Sequence, residues 1–220
     1  MTNFFQRLCL LCFLLIVGGI AIAQPFIEDI RAFKKQDSVS TPPKHSILFV
    51  GSSSFTKWKD VADYFPGYSI INRGFGGSTL VDVIRYADDV IFPYDAKQIV
   101  IYCGENDLAS SDTVNAQTVF HRFKKLYSMI RVKMPQVPVD FISLKPSPSR
   151  ARLKSKMLEA NSLIKKYLAK QKNTSFIDVY HKMLNEAGKP KPEIYVEDSL
   201  HMNAKGYAIW QKIIEPYLVK

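Results

Sequence analysis

Five short runs of apolar, often β-branched residues recur along the chain, and most are followed by a longer stretch with helical spacing. The strand candidates are Ser46–Val50 (SILFV), Tyr68–Ile71 (YSII), Gln98–Tyr102 (QIVIY), Val137–Ser143 (VPVDFIS) and Ser175–Val179 (SFIDV). Near-continuous apolar runs of this length suit a parallel sheet covered on both faces. Between and after them, apolar residues fall at i, i+3, i+4 intervals, the stripe of an amphipathic helix. Thr79–Val90 carries Leu80, Val83, Ile84 and Ala87 on one face, and Thr113–Met134 carries Ala116, Phe120, Phe123, Leu126, Tyr127 and Ile130. Arg150–Gln171 carries Leu153, Met157, Leu158, Leu163, Ile164 and Tyr167, and Ala204–Leu218 carries Tyr207, Ile209, Trp210, Ile213 and Ile214. Alternation of strand and helix predicts a three-layer α/β/α sandwich around a five-stranded parallel sheet, flavodoxin-like in type. Asp37–Lys44 (DSVSTPPK) reads as an exposed lead-in to the first strand, and no internal repeat or second composition regime is visible.

Residues 1–23 stand apart from this pattern. Arg7 supplies a positive start, Leu8 to Ala23 contains no charged side chain, and Ala21-Ile22-Ala23 forms an A-x-A cleavage pattern. This is the layout of a secretory signal, with Gln24 beginning the mature chain and the product exported to the periplasm or the medium. The apolar run is shorter than the roughly 18–20 residues of a spanning helix, so no stable membrane insertion is expected after cleavage, with an uncleaved N-terminal anchor as the alternative. Cys9 and Cys12 would leave with the signal, so Cys103 would remain without an intramolecular disulfide partner. The expected organisation is a signal peptide over 1–23, a lead-in over 24–44 and one domain over 45–220.

Composition changes the picture little. The chain has 220 residues, 47% of them apolar and 23% charged, enough for one full core and unlike a disordered or collagen-like chain. Thirty basic and twenty acidic residues give a net charge of +10. The signal takes one Arg and no acid, so the mature chain keeps +9. An anionic polymer could answer to that charge, although a solvated basic face is the simpler reading. No basic and aromatic stripe suited to stacking on a nucleic-acid strand is present, so nucleic acid is not expected as a partner.

In parallel α/β sheets, ligands bind beyond the carboxyl ends of the strands, so the residues after each run carry the functional expectation. After the first comes Gly51-Ser52-Ser53-Ser54, which places hydroxyls at the sheet edge or simply caps a helix. After the second comes Asn72-Arg73-Gly74-Phe75-Gly76-Gly77-Ser78-Thr79, whose glycines allow close backbone approach to an anion or oxyanion. A dinucleotide loop is the rival, but the spacing is G-x-G-G and the loop follows the second strand. After the third comes Gly104-Glu105-Asn106-Asp107, where Asn106 aims an amide into the mouth or forms a turn. Near the C-terminus, Asp198-Ser199-Leu200-His201 sets a carboxylate one turn from an imidazole, a general base with its orienting acid or an ordinary capping pair. Of the other histidines, His45 precedes the first strand, His121 lies within a helix, and His181, after the fifth strand, is the competitor.

Taken in order, these blocks resemble the SGNH (GDSL-type) hydrolase family, and the resemblance runs from Ile47 to Tyr217. The family's G-D-S block corresponds to Gly51-Ser52-Ser53, which implies Ser53 as nucleophile. Its second and third blocks imply Gly77 and Asn106 as oxyanion donors together with the Ser53 backbone N–H. Its D-x-x-H block implies Asp198 and His201 as acid and base. The chain departs from the pattern at Ser52, where the family has Asp, which opens a choice among Ser52, Ser53 and Ser54; the registered position favours Ser53. Glu105 occupies the variable position of the third block and its role is open.

The resemblance implies a serine esterase without metal or organic cofactor, acting on a small-molecule or carbohydrate ester. Short acyl groups, acetyl on carbohydrate above all, are the preferred substrate. A lipase, lysophospholipase or thioesterase of the same family is the alternative, as is a non-catalytic anion- or glycan-binding protein on the same fold. Lys145 and Arg150, with Arg73, are candidates to attract an acidic or phosphorylated group, and Trp58 and Phe75 to form an apolar or sugar-stacking wall. Salt bridging, helix capping and core packing are the competing readings of those five.

Overall fold

The structure, a computed structural model, describes residues 24–220; the signal expected over 1–23 lies outside them. After a first helix, α1 (Ile27–Val39), the chain enters β1 (Ser46–Gly51), two four-residue helices, α2 (Ser53–Thr56) and α3 (Val61–Tyr64), and β2 (Ile70–Gly74). Then follow α4 (Leu80–Arg85), α5 (Ala87–Val90), β3 (Ala96–Tyr102), α6 (Glu105–Ser110), α7 (Ala116–Lys133) and β4 (Val139–Ile142). The chain finishes with α8 (Lys154–Leu168), β5 (Thr174–Ile177) and α9 (Ala204–Ile214). The strands form one parallel sheet in the order β2-β1-β3-β4-β5. The α/β/α sandwich expected from the hydrophobic pattern is the observed architecture.

Strand periodicity explains why the strands are apolar throughout. In β1, Leu48 and Val50 enter one core with Ile99 and Ile101 of β3, while Ile47 and Phe49 enter the other with Val100 and Tyr102. Successive side chains point to opposite faces, so a sheet covered on both sides needs apolar residues at every position. The first core is closed by α1, α4, α5, α7 and α8, the second by α2, α3 and α9. Trp58 is fully buried in the second core, stacked on Tyr207 at 4.7 Å and edge-on to Trp210. Phe75 is fully buried in the first, between Phe26 and Tyr86. Neither forms the wall of a binding cleft; the apolar payload of each is spent in packing.

The boundaries differ from expectation where a local signal competes. Strand β2 runs two residues later than the YSII pattern suggested, because its register with β1 pairs Ile47 with Ile70 and Gly51 with Gly74. The helix expected over 79–90 breaks at Tyr86, whose hydroxyl donates to the Pro25 carbonyl at 2.7 Å. The helix expected from Arg150 starts at Lys154, after a 3₁₀ turn over Pro148–Leu153. The last helix gives way to a 3₁₀ turn at Glu215–Tyr217, where Pro216 cannot donate to the ladder.

Helix α1 was not anticipated. Ile30 is buried and Phe26, Ile27 and Phe33 pack on the same core, an i, i+3 stripe present in the sequence. Arg73 fastens the helix: its guanidinium pairs with Asp37, donates to the Tyr94 hydroxyl at 2.6 Å and lies 5.1 Å from the Phe33 ring centre. Tyr94 in turn donates to Asp37 at 2.6 Å. Arg73 is 4% exposed and engaged by α1, Tyr94 and the Asn72 carbonyl, so it is an anchor of the fold and not a substrate-attracting cation.

The central junction is Gly51, which lies at φ +150°. A side chain there would put its Cβ 2.0 Å from the Tyr102 carbonyl oxygen, a backbone atom that cannot yield. Gly51→Ala is therefore expected to cost about 4 kcal/mol or more, among the larger effects of single substitutions. Urea unfolding monitored by tryptophan fluorescence checks this; a midpoint equal to wild type would contradict it.

Candidate active site

Three segments distant in sequence converge where β1 and β3 end, the point at which strand order reverses. Ser52 leaves β1 in extended conformation and its N–H donates to the Tyr102 carbonyl of β3 at 3.1 Å. Its own carbonyl accepts from Phe55 and Thr56, which turns the chain into α2 and sets Ser53 at the first helical position. The Ser53 hydroxyl lies 3.0 Å from His201 Nε2.

His201 is held by its own loop. Its Nδ1 stands 2.5 Å from Asp198 Oδ2, while Asp198 Oδ1 accepts the backbone N–H groups of Leu200 and His201, each at 2.9 Å. Ser199 takes the left-handed conformation, φ 55°, that closes this turn. Burial by itself works to raise the Asp198 pKa, but the His201 side chain and the two backbone N–H groups together outweigh it and hold the carboxyl well below its usual range. A carboxylate on Nδ1 fixes the tautomer that presents Nε2 to the serine hydroxyl.

The glycine-rich loop lies against this pair. A Cβ built on Gly76 would stand 4.0 Å from the Ser53 Cβ, an ordinary van der Waals distance, so the loop backbone runs alongside the serine. Gly77 lies at φ +87°, a conformation that favours glycine. The loop is tied to β1 by the Phe75 N–H and the Ser78 hydroxyl, which both donate to the Gly51 carbonyl. Asn106, in the first turn of α6, donates through Nδ2 to the Ser78 carbonyl at 3.0 Å and to Ser52 Oγ at 2.7 Å. The Asn106 Oδ1 accepts from Arg150 at 2.7 Å.

Beneath lies a polar floor that the sequence did not announce. Glu105 is buried and accepts from the Tyr102 hydroxyl and from Lys145 Nζ at 3.2 Å. Lys145 is 1% exposed, and burial pushes its pKa down while Glu105 opposes the shift. Lys145 thus serves as the buried counter-charge of Glu105 and does not reach toward solvent, contrary to its expected place at the pocket mouth. Lys145 lines the cleft at its floor, and Arg150, half-buried, lines it nearer the surface. Asp107 is fully buried, accepting from the Leu80 N–H at 2.9 Å and from Arg122 at 2.7 Å. Burial raises its pKa against the pull of Arg122, and its position ties α6 to the starts of α4 and α7. A carboxylate after Asn in a sheet-edge turn was the available signal; its partners were not visible in the sequence.

His181 forms a pair with Asp178 at 2.8 Å but is largely exposed and bonds to no serine. Among the described residues no group of three or more His, Cys, Asp or Glu could hold a metal ion, and no helix is long and apolar enough to cross a membrane. The Cys103 thiol is buried, which pushes its pKa well up, and donates to the Ser78 carbonyl at 3.6 Å.

The depressed Asp198 pKa has a definite consequence. Its stabilisation is present above the unfolded pKa, near the ordinary 3.8, and is lost as pH falls through the lower folded value. In a carboxyl NMR titration from pH 7 to pH 3, Asp198 should stay ionised. Asp107 and Asp140, both raised by burial, should protonate above 3.8. Titration of Asp198 at or above that ordinary value would remove this assignment.

Comparison with known proteins gives a consistent result. The family model described as GDSL-like Lipase/Acylhydrolase family matches residues 43–209. No curated protein matches the chain. A GDSL-like lipase from Bacteroides thetaiotaomicron superposes with a TM-score of 0.70 at 23% identity, over 86% of this chain and 96% of that one. A carbohydrate esterase family 3 protein from Talaromyces cellulolyticus gives 0.60 at 15% identity, over 78% and 95%. A mutant of an acetyl-xylooligosaccharide esterase from Geobacillus gives 0.62 at 13% identity, over 79% and 94%.

Proposed function

Because the chain belongs to the GDSL-like lipase/acylhydrolase family, we propose that it is an exported serine esterase that removes short acyl groups, acetyl above all, from a carbohydrate or similar alcohol. The observation that carries this reading is the unbroken line from Ser53 Oγ to His201 Nε2, 3.0 Å, and from His201 Nδ1 to Asp198, 2.5 Å. A serine hydroxyl is a weak nucleophile until a neighbouring base takes its proton.

In this reading His201 accepts the Ser53 proton as Oγ attacks the ester carbonyl, and Asp198 steadies the imidazolium that results. The carbonyl oxygen gains negative charge and is met by the Ser53 and Gly77 backbone N–H groups and the Asn106 side-chain amide. Donors fixed before reaction are worth more than mobile water, about 3–4 kcal/mol each in the transition state. His201 then gives its proton to the departing alcohol. Water enters, loses a proton to His201, attacks the acyl-serine and releases the acid, and Ser53 recovers its hydroxyl. Protein groups alone carry every step.

The cavity shapes favour a small acyl group. The space beside Ser53, bounded by Ser52, Tyr102, Gly104, Asn106, Lys145 and Leu200, has a volume of about 10 Å³, room for a single small group. A groove of about 510 Å³, bounded by Pro146, Pro148, Arg150, Tyr180, Lys189 and Pro192, shares Arg150 with it and offers room for the alcohol portion. The carbohydrate esterase and the acetyl-xylooligosaccharide esterase among the similar structures direct the reading toward acetylated carbohydrate. Export rests on the A-x-A pattern at Ala21–Ala23.

Turnover of p-nitrophenyl acetate by the mature chain tests the reading. Ser53→Ala and His201→Ala should each lower kcat on the order of 10⁴-fold or more, since triad members act as a unit. Across p-nitrophenyl esters of rising chain length, kcat/KM should fall beyond butyrate. A fluorophosphonate probe should label Ser53 and no other serine. Undiminished turnover in either variant would reject the nucleophile and base, and preference for octanoate would reject the short-acyl specificity.

A further inference from the structure

The Asn106 amide is fixed by three partners of opposite demand. Its Oδ1 accepts from Arg150 Nη2 at 2.7 Å, and its Nδ2 donates to the Ser78 carbonyl at 3.0 Å and to Ser52 Oγ at 2.7 Å. A guanidinium can only donate and a carbonyl can only accept, so turning the amide over would set NH₂ against Arg150 and oxygen against Ser78. The remaining Nδ2 proton is directed at Ser52, the residue before Ser53, and is the one an oxyanion can claim.

Arg150 is itself held for this contact. It sits in the 3₁₀ turn between β4 and α8 with φ −112° and ψ 23°, outside helical geometry. The neighbouring Ser149 N–H donates to the Ser199 carbonyl at 3.1 Å, which fastens this turn to the loop carrying Asp198 and His201. Arg150 is half-buried, and Lys145 beneath it is already neutralised by Glu105, so Arg150 is the cation directed at Asn106.

From this geometry we propose that Arg150 is a positioning residue: its charged hydrogen bond to the Asn106 carbonyl oxygen locks the amide orientation and sharpens Nδ2–H as an oxyanion donor. The proposal rests on the serine-esterase reading and names a part of the machinery outside the triad and the oxyanion donors. Charge on the oxygen of an amide draws electron density from its nitrogen, and hydrogen bonds in a chain polarise one another. The benefit grows as the carbonyl of the substrate becomes an oxyanion, so it belongs to the transition state and not to substrate binding.

The test uses p-nitrophenyl acetate, a neutral substrate that offers Arg150 no anion. Arg150→Met should lower kcat about ten- to a hundred-fold, short of the 10²–10³-fold loss of a whole oxyanion donor, with KM within about twofold. Arg150→Lys, which keeps the charge, should recover part of that loss. In an Asn106→Ala background, Arg150→Met should change kcat less than about twofold, because the group it acts through is gone. Near-UV circular dichroism and the thermal midpoint show whether each variant is folded at the assay temperature, and Arg150→Lys carries the test if Arg150→Met is not. A loss of the same size with and without Asn106, a rise in KM alone, or an intact kcat would overturn the proposal. Ser53→Ala separates the two levels. Activity that survives Ser53→Ala removes the esterase reading and this proposal together, whereas a silent Ser53→Ala beside an unimpaired Arg150→Met removes this proposal alone.

Discussion

The peptide that ends β1 decides where the groups that meet at Ser53 can be. Gly51 sits against the Tyr102 carbonyl of β3 with no room for a Cβ, and the next N–H, that of Ser52, donates to that same carbonyl. The Gly51 carbonyl meanwhile accepts from the Phe75 N–H and the Ser78 hydroxyl. One peptide junction therefore joins the Ser52–Ser53 turn, the third strand and the glycine-rich loop. Because β1 is an inner strand paired on both sides, that junction moves only if the sheet does. A turn on the surface would leave Ser53 free to drift, and drift of about an ångström in a reacting group costs large factors in rate.

The polar floor under the junction follows from the same placement. The polar side chains of the floor leave the sheet just beyond the carboxyl ends of β3 and β4. Tyr102, Glu105 and Lys145 lie there with almost no exposure. Burying such charges costs desolvation energy that mutual attraction offsets only when the geometry is good. Here each member has its partner: Glu105 accepts from both Tyr102 and Lys145, and Asp107 from both Leu80 and Arg122. Glu105 and Asp107 flank Asn106 on α6, so these two anchors fix the short helix that carries the amide. A six-residue helix has little stability of its own, and its tertiary ion pairs supply what its length cannot.

The strands, their direction and the groups that meet at Ser53 were legible because they depend on local rules. Apolar runs identify buried strands, and chemistry gathers beyond their carboxyl ends. The parts that were not legible depend on partners far along the chain. Arg73 reads as a cation near the glycine loop, but Asp37, 36 residues earlier, claims it. Asn72 and Arg73 break the apolar run that marks β2, so the YSII pattern drew the strand too early; in the fold Asn72 is satisfied by the carbonyls of Phe55 and Trp58 and by the Gly74 N–H. Trp58 and Phe75 lie next to motif residues in sequence, yet aromatic rings of that size are needed more in the two cores. Helix α1 carried its stripe at Phe26, Ile27, Ile30 and Phe33 in plain view, but the charged residues between them resembled an exposed lead-in.

The chain also contains its own comparison for what a D-x-x-H motif means. Asp178-Val179-Tyr180-His181 follows β5, and Asp198-Ser199-Leu200-His201 precedes α9. In both, Nδ1 of the imidazole meets the aspartate Oδ2, at 2.8 and 2.5 Å, and the other carboxylate oxygen accepts a backbone N–H two residues on. Local sequence thus builds the acid–imidazole pair twice, as the short spacing and the turn preference of Asp would dictate. The difference lies in the far nitrogen. The side chain of His181 is 71% exposed, whereas that of His201 is 17% exposed and its Nε2 meets Ser53, 148 residues away. The motif makes an oriented imidazole; only the topology that lays the last loop over the end of β1 sets a serine hydroxyl against its far nitrogen.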